Sequence, residues 1–378
     1  MNDAQFDIAI IGGGLAGLAL SIQSARAGYQ TVLFEKEHYP FHRVCGEYIS
    51  LESWDFLEQL GVRLSAMELP LIKRLQVTAP NGKLFQSELP LGGFGISRYK
   101  LDNELAHIAK AAGVVLLEGH KVTQAEWDGG LFHLKAEGKN FTSKLAAGAF
   151  GKRSNLDVKW NRAFVQKKPS KINNYIGVKY HIETVFPEDV IALHNFENGY
   201  CGISKIEDNR YCMCYLTNAT NLSKYGNSIE KMQEAVLFQN PHLEQLFTQA
   251  TFLYDSPVTI SQISFQYKPQ IEQHVLLLGD AAGMITPLCG NGMSMALHGS
   301  KIAFECLDGF LQQRLTRLQM ENQYQQMWQH QFALRLRTGR MIQQLFGKPA
   351  VTNLFVETFR TVPLLARPLI RLTHGEPF

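Results

Sequence analysis

The stretch that most constrains the fold is Asp7-Ile8-Ala9-Ile10-Ile11-Gly12-Gly13-Gly14-Leu15-Ala16-Gly17, followed by Val32-Leu33-Phe34-Glu35. An apolar β-type run leads into Gly-x-Gly-x-x-Gly, a helical stretch runs through Leu18 to Ala27, and a second apolar run ends in an acid. Gly12 permits the tight turn, Gly14 lets the backbone approach a pyrophosphate, and Gly17 allows close packing of helix on strand. The helix N-terminus turns free N–H groups and a positive dipole end toward the phosphates, with Leu15 and Ala16 of the glycine turn as further cofactor-binding candidates. Glu35, eighteen residues past Gly17, stands where a ribose 2′-hydroxyl needs an acceptor, with Lys36 beside it. The spacing predicts a βαβ unit that binds a dinucleotide.

At 378 residues and 45% apolar composition the chain can bury a large core, and two closely joined domains are expected. A net charge of +3, with no long basic tract, does not point to nucleic acid. The six cysteines are scattered without a Cys-x-x-Cys pair, so neither a metal site nor a disulfide framework is expected, and a reducing cytoplasm fits. The short polar lead before the first strand leaves no room for a signal peptide, and no apolar run is long enough for a transmembrane helix.

A loop from Glu37 to Tyr48 precedes a helical stretch at about 50–60. Residues 69–94 alternate around the turn Pro80-Asn81-Gly82, 98–112 carry helical periodicity, and 121–145 read as a β-meander. Residues 158–268 read as short strands with one helical insert at about 228–238. A buried strand, Val275–Leu278, returns to the opening architecture, and the rest is helical. The expected fold is α/β (α+β). A discontinuous Rossmann-like dinucleotide domain (1–68, 95–157, 270–315) holds an inserted mixed-sheet substrate domain (69–94, 158–269), followed by a helical region (316–378).

Strand 275–278 ends in Gly279-Asp280-Ala281-Ala282-Gly283, then Pro287 and Gly290-Asn291-Gly292-Met293. A carboxylate at the end of a buried strand can hold a polyol chain, and the helix N-terminus near 290–294 can face a group that becomes anionic. A flavin dinucleotide meets both demands, whereas a nicotinamide dinucleotide needs neither. Asp280 as a simple N-cap is the structural alternative.

These two motifs together resemble the FAD-binding fold of para-hydroxybenzoate hydroxylase-type flavoproteins. Arg43-Val44-Cys45-Gly46-Glu47 resembles the Arg-Cys-Gly-Glu segment of geranylgeranyl reductases and the matching loop of polyketide-associated flavin oxidoreductases. Arg98 resembles the family arginine that reaches the cofactor. The resemblance implies that Gly12, Gly14 and Gly17 line the pyrophosphate, Glu35 the adenosine ribose, and Arg43, Cys45, Gly46 and Arg98 the cofactor's middle. It implies Val122 at the adenine, Asp280 at the ribityl chain, and the backbone of Gly290 to Met293 beside the flavin ring. NADH or NADPH is the implied transient electron donor.

Two departures stand out. Phe150 replaces the acid of the usual Gly-Ala-Asp-Gly at Gly148-Ala149-Phe150-Gly151, with Lys152 and Arg153 after it as cationic contacts or an exposed basic turn. Gly199-Tyr200-Cys201-Gly202-Ile203-Ser204 lacks the Trp and Pro that reductases and flavin halogenases carry, which argues against halogenation and for a roomier cavity.

Cys45 is a catalytic thiol or a small residue for close approach, and Glu47 a general acid or a loop cap. His38 and His42 read as solvated, Cys289 as buried, and Tyr200 and Tyr211 as packing residues or the wall of a substrate pocket. The C-terminal apolar residues Phe355 to Ile370, interleaved with Arg360, Arg367 and Arg371, cover the core or touch a membrane surface peripherally, at its inner face. The leading expectation is an FAD-dependent oxidoreductase of monooxygenase type in secondary metabolism. Its substrate would be an apolar small molecule: polyketide-, isoprenoid- or lipid-like. Double-bond reduction in the geranylgeranyl-reductase manner, a flavin-bound electron carrier or binding protein, and a flavin-free NAD-dependent dehydrogenase are the alternatives. Oligomeric state stays open.

Overall fold

The computed structural model describes residues 5–166, 174–286, 290–345, 347–362, 364, 368, 370, 372 and 375–378. Its strands are β1 (Gln5–Ile11), β2 (Thr31–Phe34), β3 (Tyr48–Ser50), β4 (Leu71–Thr78), β5 (Leu84–Gly95), β6 (Val115–Leu117), β7 (Val122–Trp127), β8 (Phe132–Ala136) and β9 (Lys139–Gly148). They continue with β10 (Tyr175–Glu183), β11 (Val190–Phe196), β12 (Gly199–Lys205), β13 (Tyr211–Asn218), β14 (Thr251–Phe252), β15 (Val258–Ile263), β16 (Ile271–Glu272) and β17 (Val275–Leu277). The helices are α1 (Leu15–Arg26), α2 (Trp54–Gln59), α3 (Arg98–Ala111), α4 (Asn155–Lys159), α5 (Ala163–Gln166), α6 (Ala219–Lys224), α7 (Ile229–Val236), α8 (Pro241–Gln249), α9 (Gly292–Leu311), α10 (Arg317–Leu345) and α11 (Pro349–Thr361).

The first sheet runs β16-β17-β9-β1-β2-β6, with the β7–β8 hairpin attached through β9. β1 pairs in parallel with both β2 and β9, and β17 with β9, so the two nucleotide motifs end at the same edge of one sheet. β1, β2 and β17 read as nearly unbroken apolar runs because helices cover both faces of this sheet. α1 and α9 lie against each other, and α10 packs on α9. Trp328, Tyr324 and Phe332 of α10 are buried, and the Tyr324 hydroxyl donates to the Leu277 carbonyl at 2.6 Å. Helix α10 thus covers the core of the first sheet.

The second sheet runs β14-β10-β13-β12-β11-β4-β5-β3, with β15 also on β10. Its side chains alternate. Val178, Tyr180, Ile182, Tyr211, Met213 and Tyr215 pack with α7 and α8, while Lys179, His181, Cys212 and Cys214 lie on the opposite face.

Two features differ from expectation. The stretch 219–249 forms three helices instead of one, because capping residues Asn218, Ser228 and Asn240 each start a turn. Tyr48–Ser50 is a strand of the second sheet, paired with Gly93–Gly95, although it falls within 1–68. The loop 35–47 therefore crosses from one sheet to the other. At the C-terminus, α11 lays Val356 and Phe359 on β5, leaving Leu354 and Leu364 exposed, while Leu365, Arg367, Leu369 and Arg371 lie outside the described residues. Among the described residues no helix is long and apolar enough to cross a membrane.

Candidate functional site

At the first motif, Gly12 adopts φ +108°, and a Cβ there would lie 2.5 Å from the Ala149 carbonyl oxygen, so no other residue fits. A Cβ on Gly17 would strike the Gly12 carbonyl, the close helix–strand packing expected of it. Gly14 is the N-cap of α1 and offers no side chain to its first N–H groups, which stay open to an anion; Leu15 and Ala16 are buried in that first turn.

The buried Glu35 carboxylate accepts from the Gly13 N–H at 2.9 Å and the Glu37 N–H at 3.1 Å, and pairs with Arg43 at 3.0 Å. Lys36 is exposed and pairs with exposed Glu37 at 3.2 Å. Val122 is buried at the start of β7, and its carbonyl accepts from Asn155 at 3.3 Å.

Asp102, on the inner face of α3, clamps both candidate arginines. Its carboxylate takes two bonds of 2.7 Å from Arg98 and one of 3.1 Å from Arg43. A Cβ on Gly14 would lie 3.8 Å from the Arg98 guanidinium, which places that cation over the glycine loop. Burial works against the Arg98 charge, but Asp102 raises its pKa above the ordinary value.

At the second motif, Gly279 has φ +55°, and a Cβ there would lie 3.6 Å from the methyl groups of Ala16 of α1 and Ala296 of α9. The two helix N-termini converge there. Burial pushes the Asp280 carboxyl up, opposed by Lys268, Arg98 and Lys152. Lys268 donates to the carbonyls of Lys152 at 2.6 Å and Asp280 at 2.8 Å, and burial brings both lysines down to about 8. The half-buried Lys152 donates to the Ser261 carbonyl and feels the Asp280 charge, while Arg153 beside it is exposed. A small cavity opens here between Gly279, Asp280, Gly283, Ile285, Gly292 and Trp328.

Gly290 has φ +66°, and a Cβ there would lie 3.0 Å from the Tyr48 ring. Asn291 is the N-cap of α9, which begins at Gly292. Met293 Sδ lies 3.5 Å from Cys45 Sγ, joining the head of α9 to the Arg43–Glu47 loop. Pro287 and Cys289 lie outside the described residues.

That loop rests on the second sheet. Its carbonyls accept from Lys179 (at Arg43, 3.2 Å), Cys212 (at Cys45, 3.2 Å) and Ser204 (at Gly46, 3.4 Å). Gly177 supplies the close approach, since a Cβ there would lie 2.9 Å from Val44. Desolvation pushes the Cys45 thiol up, so it carries its proton at neutral pH.

Glu47 is fully buried at φ +55°. Its carboxylate meets the Lys179 ammonium at 2.5 Å, His181 Nε2 at 2.5 Å and the Arg98 N–H at 2.8 Å. Burial alone would raise its pKa, yet Lys179 and His181 hold it at about 2. Glu47 is therefore an ionised anchor for the loop and for α3, not a carboxylic acid with a proton to give. The donor atoms of Glu47, His181 and Cys212 lie within 4.8 Å of one another, and the Lys179 ammonium already pairs with that carboxylate.

Lys179, His181 and Tyr254 had no motif to reveal them. The one available signal was a Lys and a His alternating within an apolar strand, Tyr175–Glu183. His42 is not simply solvated. It is half-buried, stacks on Tyr99 at 4.6 Å, and is lowered to about 4 by burial and by the charges of Lys179 and His181. His38 remains exposed.

Tyr200 and Tyr211 fall on opposite faces of the second sheet. Tyr211 packs on Phe186 and donates its hydroxyl to the Phe186 carbonyl at 2.5 Å, on the side away from the loop, so it cannot line a pocket at the cofactor motifs. Tyr200 pairs with Leu216 on the site face and is buried with Tyr48 and Met284. Gly202, opposite Cys214, lies on that same face, and a Cβ there would meet nothing closer than 3.7 Å. Phe150 packs over Gly148 and near Trp160, an apolar contact at the end of β9.

Open glycine-headed helix N-termini, a buried carboxylate at the end of a central strand and a guanidinium over the glycine loop together suit a dinucleotide with a polyol chain. The model of the FAD-binding domain family matches residues 5–307, and the chain belongs to that family: it is an FAD-dependent oxidoreductase, a flavoprotein.

Across the whole chain it is 23% identical over 385 residues to digeranylgeranylglycerophospholipid reductase 2 of Methanopyrus kandleri, covering 98% of this chain and 93% of the relative. It is 27% identical over 365 residues to conditioned medium factor receptor 1 of Dictyostelium discoideum, covering 88% of this chain and 69% of that protein. The fold superimposes on a flavin-dependent brominase with a TM-score of 0.79 at 19% identity, over 98% of this chain and 93% of the brominase.

Proposed function

We propose that the protein reduces a carbon–carbon double bond in an apolar, isoprenoid-like small molecule, with NADH or NADPH as transient electron donor. The observation that carries this reading is Cys45: a protonated thiol in the Arg43–Glu47 loop, held against Met293 at the head of α9. Bound FAD supplies hydride chemistry. The chain's own residues hold the cofactor and manage the proton. The N-termini of α1 and α9 favour negative charge, Asp280 suits the ribityl chain, and Asp102 fixes the two arginines. The thiol gives its proton to one substrate carbon as the hydride equivalent reaches the other, and is reprotonated afterwards. Similarity over nearly the full length to a digeranylgeranylglycerophospholipid reductase supports the substrate class.

The test is anaerobic incubation of the FAD-loaded chain with a geranylgeranyl lipid and NADPH. A product heavier by two hydrogens is expected, and Cys45→Ala should abolish it while FAD content is kept. Oxygenated product, with oxygen uptake stimulated by the lipid, would overturn the reading.

Monooxygenation is the second reading. Gly202 favours it, because the site face is open where a reductase pattern carries Trp. Peripheral contact with a membrane through the exposed Leu354 and Leu364 would suit either lipid-like substrate.

A further inference from the structure

Behind the Arg43–Glu47 loop runs a chain of titratable groups that lies outside the two glycine motifs. His181 is buried and bonded through both ring nitrogens: Nε2 lies 2.5 Å from Glu47 Oε2, and Nδ1 lies 2.6 Å from the Tyr254 hydroxyl. That hydroxyl is also 3.1 Å from His42 Nε2. His42 and Tyr254 are half-buried, so the chain begins at the surface and ends at a fully buried carboxylate. A histidine needed only to anchor Glu47 would use one nitrogen. One bonded at both can take a proton from one side and present it on the other.

The groups facing His181 are Glu47 from the loop, Lys179 on its own strand, Cys212 on β13, and Tyr254 and His42 on the outer side. Arg210 acts on His42 and Tyr254 from the β12–β13 turn. Glu47 and Lys179 thus set opposite charges beside the imidazole. Arg98 links the cluster to the cofactor motifs, because its N–H donates to Glu47 at 2.8 Å while its guanidinium acts on Asp280.

We propose that His181 takes up a proton when the cofactor is reduced, the proton entering through His42 and Tyr254 and being held against Glu47. Reduction by a hydride equivalent leaves one extra negative charge at the cofactor. One proton drawn from solvent onto the imidazole balances it and leaves when the electrons do. The electrons come from the hydride donor, and nothing on the relay is oxidised or reduced. The inference rests on the FAD assignment and holds for either reaction type.

The experiment is a potentiometric titration of the FAD-loaded full chain between about pH 5 and 8, where histidine changes charge. For a two-electron couple, each linked proton moves the potential by about 30 mV per pH unit, the equivalent of a tenfold change. The parent is expected to show a slope steeper than His181→Gln by up to one proton's worth. Equal slopes would overturn the proposal.

Should His181→Gln fail to hold FAD, nitrogen-15 histidine spectra of the parent decide: His181 should become an imidazolium on reduction, and an unchanged ring would overturn the proposal. Tyr254→Phe should keep the slope but slow proton uptake during photoreduction, followed with a pH-indicator dye, by about tenfold or more; an unchanged rate removes the entry route. A chain that takes up no FAD would defeat the cofactor assignment itself, whereas a flavin-loaded chain with the His181→Gln slope defeats only this inference.

Discussion

The Glu47 carboxylate lies 2.5 Å from the Lys179 ammonium, and both side chains are shut off from water. Removing one partner leaves the other charge buried and unpaired. Glu47→Gln should therefore cost about 3–5 kcal/mol of stability. Pairing it with Lys179→Met should recover a large part of that loss, because the stranded ammonium is gone. Urea unfolding of the single and double variants checks this, and simple additivity of the two losses would refute the pairing.

The same carboxylate sets an acid limit. Its pKa is about 2 in the folded chain against an ordinary 4.5, so the unfolded chain binds the proton first as pH falls. The stabilisation is complete above about pH 4.5 and is lost as pH drops toward 2, on the order of 3 kcal/mol in all. Stability measured across that window should fall more steeply for the parent than for Glu47→Gln. Parallel curves would show that Glu47 is not the group responsible.

Asp102 holds Arg43 and Arg98 in place from one carboxylate. Asp102→Asn should release the Arg98 guanidinium, leave Arg43 held by Glu35 alone, and weaken FAD binding about tenfold or more, a loss of at least about 1.4 kcal/mol. Flavin fluorescence quenching on titration with FAD reads the affinity. An unchanged dissociation constant would mean the clamp serves the fold alone.

The two faces of the second sheet should respond differently to substitution. Gly202→Trp adds bulk on the open site face, where a Cβ meets nothing closer than 3.7 Å. It should block substrate while leaving FAD content intact. Tyr211→Phe removes one hydrogen bond, to the Phe186 carbonyl, and should cost about 1 kcal/mol with no change in FAD binding. Thermal melting with flavin absorbance separates the two outcomes.

Local chemistry made the first motif legible. Gly12, Gly14, Gly17 and Glu35 lie within one βαβ unit, so their spacing alone implies their placement, and the strand–Gly279–Asp280 unit follows the same logic. The second sheet was harder to read. Short strands reveal which residues alternate but not which face meets the site, and a single capping residue can turn a strand-like stretch into helices, as at 219–249.

The sequence by itself determined a dinucleotide site with flavin chemistry, because glycines at a strand–helix turn and acids at strand ends act through local backbone geometry. Only the tertiary structure decided what Glu47 is. Its partners Lys179 and His181 stand more than a hundred residues away on β10, and Tyr254 farther still. A carboxylate's charge depends on its burial and on the ions around it. Both arise when the 35–47 loop crosses from the first sheet to the second and closes over β10 and β13, and no spacing along the chain encodes that crossing.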